Sequence, residues 1–289
     1  AVDTAEEIGY PVVVKPLDGN HGRGVFTGLH NAQQVAEAFE VAIRFSPAAL
    51  VEKHVEGRDY RVLVIGGRVS AVAERTPPQV TGDGLHTIRA LVEIENRNPL
   101  RGDGHELPLT RIPLDEAAVE LLRQAGLSPS SVPAEKTRIA LRRNANLSTG
   151  GTARAVSSIH PANAALAVRA AAALGLDVAG IDICSKDIDV PLADNGGAVL
   201  EVNAGPGLRM HLTPSEGQRA DVARDIVEHL FPKGRPFTVP IASVTGTNGK
   251  TTTARLIAFT LRRMGLAVGL ATTAGVFLNE TCLVPGDNA

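Results

Sequence analysis

The sequence predicts an α/β chain: a large α+β domain followed by the opening strand, loop and helix of a second domain. Three observations carry this. Apolar runs of strand length at 10–14, 178–184 and 198–202 are bounded by Gly and Pro. A helical stretch at 161–174 is rich in Ala, with Pro161 at its start and Gly175 just past its end. The segment Phe231-Pro-Lys-Gly-Arg-Pro236 then reads as a linker, dividing 1–234 from 238–289.

Composition narrows the function classes. The 289 residues are 44% apolar and 21% charged, an ordinary globular balance with enough chain for one large domain or two. A net charge of −2 gives no reason to expect nucleic acid or an anionic membrane as partner. Trp is absent and aromatics are 3%, which speaks against a base-stacking platform. No apolar run approaches the ~20 residues of a membrane helix. Cys184 and Cys282 are too few for a disulfide framework or a zinc cage, so a cytoplasmic location is expected. Both ends look cut, and a fragment of a longer protein is expected.

The stretch from Ala198 to Pro214 organises the rest. An apolar strand carries Glu201 and Asn203 two positions apart, hence on one face, and Gly205-Pro206-Gly207 ends it. Asp182 interrupts the apolar strand upstream. Three hard oxygen ligands on two strands joined by a short turn suit Mg²⁺ bound against phosphates. A lone acid marking a strand edge is the plainer alternative for Asp182.

These strands, closed by Pro-Gly, resemble the metal site of ATP-grasp ligases. The fuller string Glu201-Val-Asn-Ala-Gly-Pro-Gly-Leu-Arg-Met-His211 is similar to the cyanophycin synthetase family, in which an ATP-grasp ligase is joined to a Mur-like one. The likeness covers essentially the whole chain.

In order along the chain, Lys15 ends a buried strand, where its charge calls for an anion or for solvent. The loop Asp18-Gly19-Asn20-His21-Gly22-Arg23-Gly24 follows, and its three glycines let backbone N–H groups approach a triphosphate. His21 belongs to the loop surface. Asn31, with Gln34 three on, caps a helix expected to reach Phe45. The resemblance then places adenine and ribose at the next segment, with Glu52, Lys53 and Val55 on the adenine side and Asp59 at the ribose; a solvated charge cluster is the plainer reading. Residues 59–65 and 68–76 read as a hairpin around Gly66-Gly67.

Residues 77–133 are an insert relative to the smallest ATP-grasp proteins, read as a lid or polymer-handling surface; His86 and His105 are polar turn residues within it. Asp115 to Ala125 has helical apolar spacing, ended by Gly126. The basic stretch 139–143 runs into a loop where Ser148, Gly150 and Gly151 can set donors around a carboxylate or a transferred phosphoryl group. Ser215 is expected to cap a helix through Leu230. Arg209 can swing back over the metal site and grip a carboxylate with its fork. It is expected to act in catalysis and, with His211, in substrate binding; pairing with Glu216 is the structural alternative.

In the second domain, residues 240–244 are expected to form a strand before Gly246-Thr247-Asn248-Gly249-Lys250-Thr251-Thr252. Backbone groups of Gly246, Asn248 and Gly249 would wrap a β-phosphate, with Thr252 in the same loop-to-helix turn. Lys250 would reach the β/γ oxygens as a catalytic cation, and the Thr251 hydroxyl would join Mg²⁺. Val244 replaces the first Gly of the longer phosphate-loop pattern, and the shorter form is like that of Mur ligases.

The resemblance implies amide-bond formation through acyl phosphates with ATP and Mg²⁺. Aspartate would be added to a polypeptide primer and arginine to aspartate side chains, in a protein that is a homo-oligomer at full length. Three positions depart from family habit: Arg154 and Ala274 stand where an acid is usual, and Gly180 where dipeptide-forming relatives often carry Arg. Candidate substitute cations are Arg209, Arg142 and Arg61. Another ATP-grasp and Mur-type peptide ligase is the enzymatic alternative, and an inactive nucleotide-binding module the other.

Overall fold

A computed structural model describes residues 1–18, 24–104, 106–235 and 238–287. The chain divides into two compact units, Ala1–Lys233 and Gly234–Ala289.

The first unit begins with a small antiparallel sheet in which Val12–Pro16 lies between Phe26–Leu29 and Ala49–Lys53. Val12 and Val14 are fully buried and pack on Ala5 of helix Val2–Ile8 and on Val35 and Ala38 of helix Ala32–Ala42. Strand alternation turns Lys15 to the other face. The Asn31 side chain accepts from the Gln34 N–H at 3.0 Å, and the Gln34 side chain accepts from the His30 N–H at 2.8 Å. This reciprocal cap starts the helix as expected, but the helix ends at Ala42, three residues early.

The main sheet has five antiparallel strands in the order Thr152–Val156, Arg68–Thr76, Arg58–Ile65, Val178–Ser185, Ala198–Asn203. Gly66 and Gly67 close its hairpin with φ of 55° and 74°, values that a side chain would resist. One face is apolar: Tyr60, Val62, Val64, Ile181 and Ile183 are buried against Ala167 and Ala171 of helix Pro161–Ala173. The other face carries Asp59, Arg61, Arg75, Asp182, Glu201 and Asn203. A register shift sets that division. Leu63 pairs with Ala71 but Val64 with Val69, so Ser70 is an extra residue in the ladder.

The insert packs on itself. Helices Ile88–Asn96 and Glu116–Gln124 enclose a core with Val80, Ile112, Ile139 and Leu141, and strand Gln79–Thr81 pairs with Arg138–Ala140. The Asp115 side chain caps the second helix by accepting from the Ala118 N–H at 3.1 Å.

The helix expected from Ser215 begins seven residues later, as Val222–Leu230, with Asp221 accepting from the Arg224 N–H. The intervening backbone is used elsewhere. Ser215 N–H donates to the Ala153 carbonyl at 2.8 Å, and Ala155 N–H donates to the Glu216 carbonyl at 2.9 Å, so this segment lies along the sheet edge.

In the second unit, helix Lys250–Arg263 is followed by a three-stranded antiparallel meander, Gly269–Thr272, Gly275–Leu278 and Thr281–Pro285. The strand expected at 240–244 is not formed. Those residues have no partner strand among the described residues, and Ile241 is 90% exposed. No helix of the described residues is long and apolar enough to cross a membrane.

Candidate active site

The polar face of the main sheet is a row of opposed charges. Arg61 is the register partner of Asp182, and Asp182 is the partner of Glu201 on the next strand. Opposed residues in an antiparallel ladder hold their Cβ atoms ~5 Å apart on one face. Asn203, opposite Gly180, adds its amide two positions along. Arg61 grips Asp182 with both arms of its fork: Nε donates to Oδ1 and Nη2 to Oδ2, the second at 3.1 Å. Arg75 lies between two acids, 3.1 Å from Asp182 Oδ2 and 3.3 Å from Asp59 Oδ1. Arg61 and Asp182 are 7% and 6% exposed, a depth at which single charges are costly and paired ones persist. Glu201 is exposed and has no hydrogen-bond or ion-pair partner among the described residues.

Gly180 makes room for Arg61. A Cβ there would stand 2.7 Å from Pro206 Cβ and 2.9 Å from Arg61 Cδ. The Arg61 guanidinium, from the neighbouring strand, fills the space beside Gly180. Of the three candidates, Arg61 lies against Asp182. Arg209 borders the cavity, and Arg142 is turned to Asp115 at 2.6 Å.

The charged row floors a cavity of about 840 Å³, with Lys15 and Leu17 on the small-sheet side and Asn146 and Ser148 on the other. Lys15 Nζ is 2.6 Å from Glu52 Oε2. Lys53 does not join it. It is the register partner of Val12, on the helix-packed face, and its ammonium donates to the carbonyls of Gly9 at 2.7 Å and Tyr10 at 3.4 Å. The Lys53 ammonium is therefore turned away from Lys15, which pairs with Leu50 on the other face, because successive positions in a strand face opposite ways. Val55 offers its carbonyl to the Cys184 thiol at 3.3 Å. Burial, with the Asp59 charge second, pushes that thiol up to about 11. Gly24 has φ 71°, and a Cβ there would meet the Phe45 ring at 2.8 Å. Gly19, His21, Gly22 and His105 lie outside the described residues.

Ser148 borders the cavity, but Gly150 and Gly151 support it from behind. Gly150 has φ 95° and packs against Ile112; a Cβ on Gly151 would be 2.8 Å from the carbonyl oxygens of Asn146 and Thr76. Arg209 donates from Nη1 to the Leu107 carbonyl at 2.9 Å and pairs with no carboxylate among the described residues, so the alternative pairing with Glu216 is not formed. His211 does not reach the cavity. It is 2% exposed, its Nε2 has no hydrogen-bond partner among the described residues, and burial, with the Arg61 charge second, lowers its pKa to about 4. Arg154 faces away from the site, paired with Glu74, so its departure from family habit does not touch the cavity.

Arg75 was not among the sequence candidates. A regular two-residue hairpin would set Glu74 opposite Asp59; the extra residue at Ser70 moves Arg75 there instead.

Among the described residues no three His, Cys, Asp or Glu side chains form a metal cluster. The donor set is two carboxylates and an amide oxygen, all hard ligands of the kind Mg²⁺ takes alongside phosphate. Two N–H groups of Arg61 donate to Asp182 and the Arg75 guanidinium lies 3.1 Å from it, leaving it limited acceptor capacity, whereas Glu201 keeps all of its own. The set fits an ion held mainly by Glu201 and Asn203.

In the second unit Gly249, at φ 76°, precedes the helix, and Thr251 and Thr252 lie in its first turn. Lys250 folds back over its own loop, donating to the Gly246 carbonyl at 2.7 Å and the Thr247 carbonyl at 3.4 Å.

Comparison with known proteins agrees with this arrangement. The D-ala D-ala ligase C-terminus family matches residues 2–84, the RimK-like ATP-grasp domain residues 133–230, and the Mur ligase middle domain residues 244–286. The fold is that of the ATP-grasp ligases, followed by a Mur-ligase segment. A bifunctional glutathione synthetase from Pasteurella multocida has a TM-score of 0.57 and 34% identity, over 80% of this chain and 32% of its own. Along nearly its whole length the chain is a homologue of the cyanophycin synthetases. It is 48% identical to that of Trichormus variabilis over 281 residues and 46% identical to that of Synechocystis over 283, in each case 97% of this chain. It spans 31% and 32% of those proteins, about a third of their length.

Proposed function

We propose that the first unit is the aspartate-adding half of a cyanophycin-type ligase, using ATP and Mg²⁺ to extend a polypeptide primer through an acyl phosphate. The observation that supports this most directly is the row Arg61, Asp182, Glu201 and Asn203 flooring a cavity with Lys15 across from it. A primer carboxylate oxygen attacks the γ-phosphorus and ADP leaves. The aspartate amine then attacks the activated carbonyl, phosphate leaves and the nitrogen loses a proton. Mg²⁺ would supply neutralisation of phosphate charge, held by Glu201, Asn203 and the remaining acceptor capacity of Asp182. Lys15 would meet the α/β-phosphates, and Asp59 would accept from ribose hydroxyls. Arg61 and Arg75 are fixed cations beside the transferring group, so little reorganisation is needed as its charge spreads. Arg209 would hold the primer carboxylate. By homology, the second unit contributes Lys250 and Thr251 to an arginine-adding site in the longer protein.

The test is Mg²⁺- and ATP-dependent release of ADP that requires both L-aspartate and an aspartate-containing primer. Lys15→Ala should weaken ATP binding, measured by calorimetry with Mg²⁺, by at least ~1.4 kcal/mol, a tenfold step. Unchanged affinity in a folded variant would overturn the nucleotide assignment.

A further inference from the structure

The insert shares no buried side chain with the core of the main sheet. Polar contacts help to seat it beside the cavity: Arg142 reaches Asp115 at 2.6 Å and Arg143 reaches Gln124 at 2.7 Å, and two further arginines act at the cavity wall itself. Arg209, on the cavity wall, donates to the Leu107 carbonyl of the insert. Arg101 reaches the opposite way. Its side chain is 2% exposed. Nη1 donates to the Thr110 carbonyl at 2.7 Å and to the Gly150 carbonyl at 3.0 Å, while Nε and Nη2 donate to Glu95 at 3.3 and 3.0 Å. Gly150 closes the tight turn Leu147–Thr149, whose Leu147 and Ser148 border the cavity.

One guanidinium thus joins the insert's two-residue ladder, Arg101–Gly102 with Leu109–Thr110, to the turn that walls the site. A buried cation facing a single half-exposed carboxylate is an expensive way to fill a core, since an apolar side chain avoids the desolvation cost. What Arg supplies instead is a rigid planar group in which Nη1 bonds carbonyls on two segments while Nε and Nη2 hold Glu95.

Resting on the ligase reading above, we propose that Arg101 is a positioning residue for the peptide side of the site. It fixes the 146–149 turn against the insert, so that a carboxylate-ended peptide is gripped between that turn and Arg209. Lys in its place keeps the charge but has a single nitrogen to divide among Glu95, Thr110 and Gly150, where Arg serves the carboxylate and the two carbonyls from separate ones.

The experiment compares Arg101→Lys with Glu95→Gln, which removes the countercharge and leaves both carbonyl bonds. For Arg101→Lys, amide exchange should accelerate in 144–151 and stay unchanged in 178–185. Affinity for a synthetic oligo-aspartate with a free C-terminal carboxylate should fall about tenfold, and affinity for Mg²⁺-ATP should stay within about twofold. Glu95→Gln should leave all three readouts near wild type. Parallel acceleration in both segments, unaltered protection of the turn, or equal loss of peptide and nucleotide binding would each overturn the proposal. Failure of the wild-type chain to bind the peptide would instead count against the ligase reading, with the exchange comparison still deciding the role of Arg101.

Discussion

Asp182 and Glu201 face each other across one ladder, yet the same chemical change should affect them differently. Asp182 holds two guanidinium groups inside the sheet, and Asp182→Asn would leave Arg61 without its countercharge and Arg75 with Asp59 alone. Loss of a buried partner costs ~3–5 kcal/mol, so urea denaturation should show a large drop in stability. Glu201 has no partner to lose. Glu201→Gln should keep stability within ~0.5 kcal/mol while abolishing Mg²⁺-dependent ATP turnover. His211 adds a pH signature. Its imidazole is neutral where it is buried, taking a proton at about 4 rather than 6.5. The unfolded chain binds that proton first as pH falls, so the contribution of His211 is full above 6.5 and declines down to about 4. By pH 5 the loss is roughly 2 kcal/mol relative to pH 7. His211→Gln should remove this part of the slope, which denaturation at both pH values would show.

At the scale of elements, what could be read locally was read well. The hairpin at Gly66-Gly67, the cap at Asn31, the helix ended by Gly126 and the helix between Pro161 and Gly175 each follow from chemistry within a few residues. The helix after strand Ala198–Asn203 was misplaced because Ser215 is a good cap by type, but its backbone pairs with the sheet edge. Asp221→Ala should therefore cost ~1 kcal/mol of stability and Ser215→Ala much less, as calorimetry can decide. Gly180 states the same lesson in packing. Its neighbours Pro206 and Arg61 come from distant parts of the chain, and only the folded sheet shows why no side chain fits. Gly180→Ala should destabilise by ~1–3 kcal/mol and depress activity by displacing Arg61.

For the molecule as a whole, the class of chemistry was legible because its strongest signals are short and contiguous. Asp182, Glu201, Asn203 and the loop from Gly246 to Thr251 need only their own strand or turn to be recognised. Arg75 and Arg101 were not legible, since each acts through partners that the topology brings from elsewhere. The side chain of Lys53 points away from the cavity for a simpler reason, strand alternation.

The placement of Arg75 depends on a number of residues more than on their identity. Ser70 is the one surplus position between the turn and the site. Excising it would make the ladder regular and leave Arg75 opposite Asp59, because the surplus position is itself what is lost. One residue added between Ala71 and Glu74 would do the opposite. Glu74 would then arrive beside Asp59 and Asp182, and Arg75 would pass to the face of Val62 and Val64. Natural variation in chain length between Gly67 and Arg75 should therefore run to loss of Ser70 and exclude insertions after it.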